Sequence, residues 1–160
     1  MAVELLLLVS RQGKVRLTKF YKDYDKKDKQ RVVREISSLV LSRAHKLCNF
    51  LEWRGKIVSY KRYASLYFIT LIEPDDNVLL ALETIHHFVE ILDRYFTNVC
   101  ELDIIFNFHK AYYILDELLI GGELQETSKR EVLRVAGAQD EMMEDDLKKE
   151  TAINRIKLTM

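Results

Sequence analysis

Cysteine, proline and glycine are scarce in this chain of 160 residues, which contains two, one and five of them respectively. So few cysteines exclude a disulfide-stabilised scaffold, and Cys48 and Cys100 are too far apart for a Cys-x-x-Cys motif. We therefore expect two buried thiols in a reducing compartment. The longest apolar run, Leu5–Val9, is far below the about 18 residues of a membrane span. It also lacks the basic start and the small-residue cleavage site of a secretory signal.

Acidic and basic residues balance at 25 each, but they are unevenly distributed. The first 62 residues contain 16 basic and 6 acidic side chains, a formal charge of +10, and the rest of the chain has a charge of −10. The two halves should attract each other in the fold, or offer a basic and an acidic surface to different partners. With 48% hydrophobic residues, the chain has the apolar content of a folded domain.

The first half alternates between strand and helix patterns. Val3–Val9 is almost entirely apolar and predicts a central strand, and a strand of alternating apolar and polar residues follows a turn at Gly13. Asp25 is a candidate N-cap for an amphipathic helix whose apolar residues recur at steps of three and four. Strands return after residue 49, and the last of them, Ala64–Leu71, has the β-branched and aromatic content of a sheet centre.

Helices dominate the second half. Pro74–Asn77 ends the sheet and caps the first of two long helices, with a bend between them at Asn98–Glu101. A short helix is expected to begin at Glu126–Ser128, and Gln139–Lys149, with five acidic and two basic residues, predicts an acidic tail that does not need to dock. The second long helix is expected to pack on the sheet and to end at Gly121-Gly122. Its apolar stripe consists of Leu102, Ile105, Phe106, Phe108, Tyr112, Ile114 and Leu115.

This order of elements predicts an α+β domain. Its five-stranded, mostly antiparallel sheet would be covered by helices and followed by a helical or disordered C-terminal extension. Within the first strand, Glu4 interrupts the apolar residues, and we expect its side chain to point outward.

The motifs of common enzymes are missing. The five glycines occur in no phosphate-binding or dinucleotide-binding arrangement, and the chain has neither a GxSxG nor an HExxH motif. His86 and His87 are adjacent, so on a helix they point about 100° apart and cannot readily share a metal ion. We expect one at the edge of the core and the other in solvent. A catalytic site of an unrecognised kind has no positive support from these residues, and no cofactor or metal ion is predicted.

The basic first half does not indicate nucleic-acid binding, because it lacks the interleaved aromatic residues of an RNA-binding sheet. A negatively charged protein partner would use the same surface. Aromatic residues do alternate with small ones in Arg62–Phe68, and such alternation creates hollows that could receive a bulky apolar side chain. Ordinary strand packing is the alternative interpretation of this segment.

Four segments together resemble the small (sigma) subunits of heterotetrameric clathrin adaptor complexes. The resemblance runs from about residue 3 to residue 135, and two of its segments look more like the trans-Golgi and endosomal adaptor, complex one, than the plasma-membrane complex. It divides the chain into a domain at 1–135 and an acidic extension at 136–160, expected to be mobile. The segments are Ser10–Leu17, Tyr60–Phe68, Asn98–Phe108 and Gly121–Ser128.

The resemblance implies a longin-type fold and a non-enzymatic role. Such a subunit stabilises the trunk of a large adaptin, and helps bind cargo tails with an acidic residue, three arbitrary residues, then Leu followed by Leu or Ile. Arg16 matches the arginine that receives the acidic residue. The other matching positions are Tyr63, Ala64 and Leu66 on the pocket-forming strand, Val89 on the helix that lines it, and Asn98, Val99 and Leu102 on its far wall.

The partners implied are the large and medium subunits of the heterotetramer and cargo tails, with clathrin and a small GTPase reached through the complex. Localisation would be cytoplasmic and peripheral on trans-Golgi, endosomal and coated-vesicle membranes. No nucleic acid is expected to bind. The alternatives are a coatomer-type subunit of the same fold, a stand-alone regulator of a small GTPase or membrane-fusion protein, and a purely structural subunit. An unrecognised enzyme is the remaining alternative, and it would require an accessible cluster of perturbed ionisable groups that these residues do not form.

Overall fold

The computed structural model describes residues 2–43, 49–120, 123–124 and 129–159. It confirms the α+β class and the expected order of elements. The elements are β1 (Val3–Ser10), β2 (Val15–Phe20), α1 (Lys26–Ser42), β3 (Phe50–Trp53), β4 (Lys56–Tyr63), β5 (Leu66–Ile72), α2 (Val78–Phe96), α3 (Glu101–Phe106), α4 (Phe108–Leu118), β6 (Leu119–Ile120), β7 (Glu123–Leu124) and α5 (Lys129–Thr159).

The main sheet has five strands in the order β2-β1-β5-β4-β3, and every neighbouring pair is antiparallel. β1 lies between β2 and β5, and β5 is the middle strand, so both expectations of a central position are confirmed. The predicted glycine turn joins β1 to β2, where Gly13 adopts a φ of +87°. β6 and β7 form a separate two-stranded ribbon.

Both faces of the main sheet are covered by helices. All eight residues of β1 are buried. Leu5, Leu7 and Val9 pack in one cluster with α1, whereas Leu6 and Leu8 pack in another with α2, α4 and α5. Because successive side chains of a strand point to opposite faces, a continuously apolar strand needs cover on both sides.

Glu4 is buried, with 6% of its surface exposed, so the expectation that it points outward is wrong. The pairing of β1 with β5 shifts at this residue, which is the extra one of a β-bulge. The bulge also places Val3 in the same cluster as Leu6 and Leu8. Glu4 accepts hydrogen bonds from Lys56, from Lys22 at 3.2 Å and from the Tyr24 hydroxyl at 3.0 Å. A buried carboxylate is tolerated here because these three donors satisfy it.

The N-cap positions of the first two helices are occupied by the expected residues, Asp25 and Asn77. Asn77 caps α2, because its side-chain oxygen accepts from the amides of Leu79 at 3.0 Å and Leu80 at 3.4 Å. Asp25 precedes α1 but makes no side-chain cap. The expected bend is also present, since α2 ends at Phe96 and α3 begins at Glu101.

The second long helix is divided, and its predicted apolar stripe is partly wrong. The backbone of Asn107, with φ −128° and ψ 38°, separates α3 from α4. This break changes the helical phase, so Ile104 is the buried residue of α3. Ile114 and Leu115 are buried as expected. The residues that are exposed instead are Leu102, Ile105, Phe106 and Phe108.

The last helix is long rather than short. Its predicted start at Glu126–Ser128 lies outside the described residues, as does the predicted end of the preceding helix at Gly121-Gly122. Val132 and Ala136 are buried in the core beside α2 and α4. Asp140 contacts Lys110 of α4 and Tyr95 of α2, so the expectation that Gln139–Lys149 has no docking residue is wrong at Asp140. Residues 141–159 are exposed. The domain boundary at 135 and the mobility of 136–160 stay predictions.

The buried Glu4 gives a prediction for stability. Burial raises the pKa of Glu4, but side-chain hydrogen bonds, first with Glu73 and then with Lys56, Lys22 and Tyr24, outweigh burial and lower the pKa from 4.5 to about 2. A lowered pKa in the folded state stabilises the protein above pH 4.5, and this stabilisation is lost as the pH falls towards 2. Glu4→Gln should therefore reduce the free energy of unfolding by about 1 to 3 kcal/mol at pH 7, and by less at lower pH.

Urea unfolding followed by the fluorescence of Trp53, the single tryptophan, measures this difference. Glu52→Gln is the matched control, because Glu52 is an exposed acidic residue of β3. Equal effects of the two substitutions at pH 7 would contradict a stabilising role for the buried carboxylate.

Candidate functional site

Arg16, the residue expected to receive an acidic group, is engaged by a carboxylate of the same chain. Its Nε lies 2.8 Å from Oε1 of Glu101, the first residue of α3. The two side chains are 25% and 21% exposed, so solvent reaches the pair only partly. A charged hydrogen bond of this length orients the guanidinium and neutralises it.

Three of the expected apolar residues come together in the core. Leu66 at the start of β5, Val89 of α2 and Val99 before α3 belong to one cluster, and they are 0%, 3% and 3% exposed. They meet because α2 packs across β4 and β5, and the chain then turns so that α3 lies against β2. Because all three are covered, a leucine side chain from a partner would reach them only after a neighbour moves.

Asp93 links Tyr63 to the segment that carries Val99. One carboxylate oxygen, Oδ1, accepts from the Tyr63 hydroxyl at 2.7 Å and from the Val99 amide at 3.1 Å. The hydrogen bond to Asp93 raises the pKa of Tyr63. Between these contacts, Thr97 and Asn98 have φ values of +53° and +71°, a region that residues other than glycine seldom adopt. The contacts of Asp93 therefore help to hold a strained turn in one shape.

Three of the expected residues occupy different places from those predicted. Ala64 lies in the two-residue turn between β4 and β5 with a φ of +53°, so the strand expected from Ala64 begins at Leu66. Leu102 is on α3 but is 60% exposed. Asn98 is also exposed. The other five expected residues lie in or near the core cluster. Leu66, Val89 and Val99 belong to it, and Tyr63 packs against it. Arg16 forms an ion pair with Glu101 of α3.

Asp93 and Glu101 were absent from the sequence-based site. Their local signal was weak, since acidic residues on helices are usually solvated and nothing in the sequence shows which basic or hydroxyl group they meet. A partial signal existed for Glu101, because it closely follows Asn98 and Val99 and carries charge opposite to that of Arg16.

A patch of apolar side chains is exposed beside this site, and we refer to it as the α3 patch. Leu102, Ile105 and Phe106 are spaced so that they share one helix face. They are 60%, 37% and 75% exposed, and Phe108 at the start of α4 is 55% exposed. Contiguous apolar side chains of this size on a protein surface are typical of protein interfaces.

A basic groove lies on the opposite face of the sheet, between β2 and α1. Its volume is about 500 Å³, and its lining includes Lys29 and Arg34 but no acidic residue. The hydroxyl of Ser37, which also lines the groove, is buried without a hydrogen-bond partner. The sequence did not predict this groove, because its shape depends on how β2 and α1 pack in the tertiary structure.

The remaining candidate residues have ordinary surroundings. Cys100 is exposed, so the prediction of a buried thiol is wrong there, and Cys48 lies outside the described residues. His86 and His87 have side chains 49% and 16% exposed, which confirms one in solvent and one at the core edge. Within the described ranges, no three histidine, cysteine or acidic side chains are grouped to hold a metal ion. No helix in the same ranges is long and apolar enough to cross a membrane.

The fold and the comparisons define the class of protein. Residues 2–143 match the family model of the clathrin adaptor complex small chain. The chain therefore belongs to this family, and the expected resemblance is confirmed.

Relatives make the comparison more specific. The chain is 61% identical over 154 residues to AP-1 complex subunit sigma-2 of Arabidopsis thaliana, covering 96% of this chain and 95% of that protein. It is 55% identical over 144 residues to human AP-1 complex subunit sigma-1A, covering 90% and 91%. A chain in a homology model of the full-length AP-3 complex in a stretched open conformation has the same fold, with a TM-score of 0.71, 27% identity and 92% and 98% coverage.

The contacts of Asp93 predict a local effect on the turn before α3. Asp93→Ala removes the acceptor of the Val99 amide, so hydrogen exchange at that amide should become about 5-fold faster or more. Arg94→Ala is the matched control, because Arg94 is the next residue of α2 and is exposed. Exchange rates at Val99 that are the same in both variants would show that Asp93 does not hold the turn.

Proposed function

We propose that this chain is the small subunit of a clathrin adaptor complex of the AP-1 type. In this role it stabilises the trunk of a large adaptin and helps to bind acidic-dileucine sorting signals, in vesicle-mediated protein transport at the trans-Golgi network and endosomes. The role is not catalytic. The chain reaches membranes only peripherally, as part of the assembly.

One observation supports the signal-binding part most directly. The turn before α3 contributes Val99 to the apolar cluster that also contains Leu66 and Val89. Glu101, the first residue of α3, binds the guanidinium of Arg16. A signal with an acidic residue four positions before its first leucine needs a cation and an apolar hollow within a few residues' reach. β2 carries the cation, Arg16, and the turn before α3 carries Val99 of the apolar cluster, so a hollow beside Val99 would open within a few residues of the cation.

The energetics of such a signal divide between its two ends. Each fully buried leucine contributes about 1.5 to 3 kcal/mol before ordering costs. The acidic residue adds orientation and selectivity more than affinity, because its charge is partly solvated both in the free signal and when bound at Arg16. In the proposed bound state, the leucines enter beside Val99, and the side chains that now cover the cluster move aside.

The α3 patch supports assembly with other subunits. An isolated chain would leave Leu102, Phe106 and Phe108 in water, whereas an interface with a large subunit would bury them. We assign the large and medium subunits of one heterotetramer as partners, with clathrin and a small GTPase reached through that complex.

The signal site is tested by fluorescence polarisation of an acidic-dileucine peptide with the co-expressed complex. Val99→Asp puts a charge into the apolar cluster and should weaken binding by about 10-fold or more. Arg16→Ser removes the cation and should weaken binding by about 3- to 10-fold. Arg11→Ser is the matched control, because Arg11 is exposed in the turn before β2.

Only intact assemblies, checked by size-exclusion chromatography, are compared. Equal binding by the native complex and all three variants would leave a purely structural subunit, with the cargo site elsewhere in the assembly.

The α3 patch is tested through assembly. Phe106→Ser should lower the yield of chain that co-purifies with a large subunit by several-fold, and should make the isolated chain less prone to associate with itself. Phe50→Ser is the matched control, because Phe50 is 45% exposed on the distant edge strand β3. A similar loss of co-purification in both variants would remove the patch from the interface.

A further inference from the structure

Arg16 meets a carboxylate before any signal arrives. The 2.8 Å contact between Arg16 Nε and Glu101 Oε1 uses the same group that an incoming acidic residue needs. An extended strand and a short helix hold the two residues, 85 positions apart in the chain. The pair is three-quarters buried or more, so water does not readily replace either partner.

The surroundings of Glu101 connect this ion pair to the apolar cluster. Glu101 follows Cys100, whose amide is held by Asp103 at 2.9 Å, and the preceding Val99 amide is held by Asp93. Asp93 and Asp103 therefore hold the amides of Val99 and Cys100, the two residues directly before Glu101. A displacement that uncovers Val99 also changes the position of Glu101 relative to Arg16.

We propose that Glu101 is an internal competitor for the acidic residue of the signal, an inference that rests on the proposed signal-binding function. In the unliganded chain Glu101 neutralises Arg16 while Leu66, Val89 and Val99 are covered. On binding, Arg16 exchanges the carboxylate of Glu101 for that of the signal. Glu101 then sets how strongly the acidic residue counts towards binding.

This exchange has a defined thermodynamic consequence. In the native chain one carboxylate replaces another at Arg16. The contact that the peptide carboxylate forms is therefore largely cancelled by the contact that Glu101 loses, and the net gain in binding free energy is small. Without the charge of Glu101, the peptide carboxylate gains the whole contact. The acidic residue should therefore contribute more to affinity in Glu101→Gln than in the native protein.

A double-mutant cycle on the co-expressed complex tests the inference. Two peptides are compared, an acidic-dileucine signal and the same signal with Gln in place of its acidic residue. Glu101→Gln should bind the acidic peptide about 2- to 10-fold more tightly than the native complex and the Gln peptide equally well. Asp116→Asn is the matched control, because Asp116 of α4 pairs with Lys19 of the same strand β2 at 3.1 Å.

The outcomes separate the two proposals. Unchanged or weaker binding of the acidic peptide by Glu101→Gln overturns the competitor role, and weaker binding shows instead that Glu101 positions Arg16. An equal gain in Asp116→Asn also overturns it, because the effect would then come from net charge alone. If neither peptide binds any of the assemblies, the signal-binding function itself fails, and this inference fails with it.

Discussion

The fold depends on burying β1 on both faces. A strand whose eight residues are all buried needs cover on both faces of the sheet, and helices supply that cover here. α1 supplies one layer, and α2, α4 and α5 supply the other. Within the sheet, β2 and β5 flank β1, and α3 lies against β2 at the edge of the second layer. The candidate signal site lies where these elements meet.

Charge is arranged so that the two halves of the chain hold each other. Ion pairs join the basic first half to the acidic second half at Arg16–Glu101, Lys19–Asp116 and Lys56–Glu73, as the opposite net charges predict. Exposed pairs contribute little individually. The pair at Arg16 differs because it is mostly buried and lies beside the apolar cluster, and it is the pair on which the proposed competition with the signal depends.

The turn between α2 and α3 combines strain with function. Thr97 and Asn98 adopt a positive φ, which costs free energy for residues with a side chain. The shared acceptor Asp93 offsets this cost by binding Val99 and Tyr63 together. A turn held by a few polar contacts can change shape more easily than a helix or strand, and the proposed binding of a signal at the covered apolar residues requires such a change.

The sequence alone determined the α+β class and the elements from β1 to α2, because periodicity, caps and turn residues are local properties. It indicated a central β1, a central β5, the cap at Asn77 and the bend at Asn98–Glu101, and the motif resemblance identified the family. It did not determine the burial of Glu4, the exposure of Leu102 and Phe106, or the contact between Arg16 and Glu101. Those depend on a bulge, a helix break and a pairing across 85 residues, and only the packed tertiary structure decides which distant side chains meet.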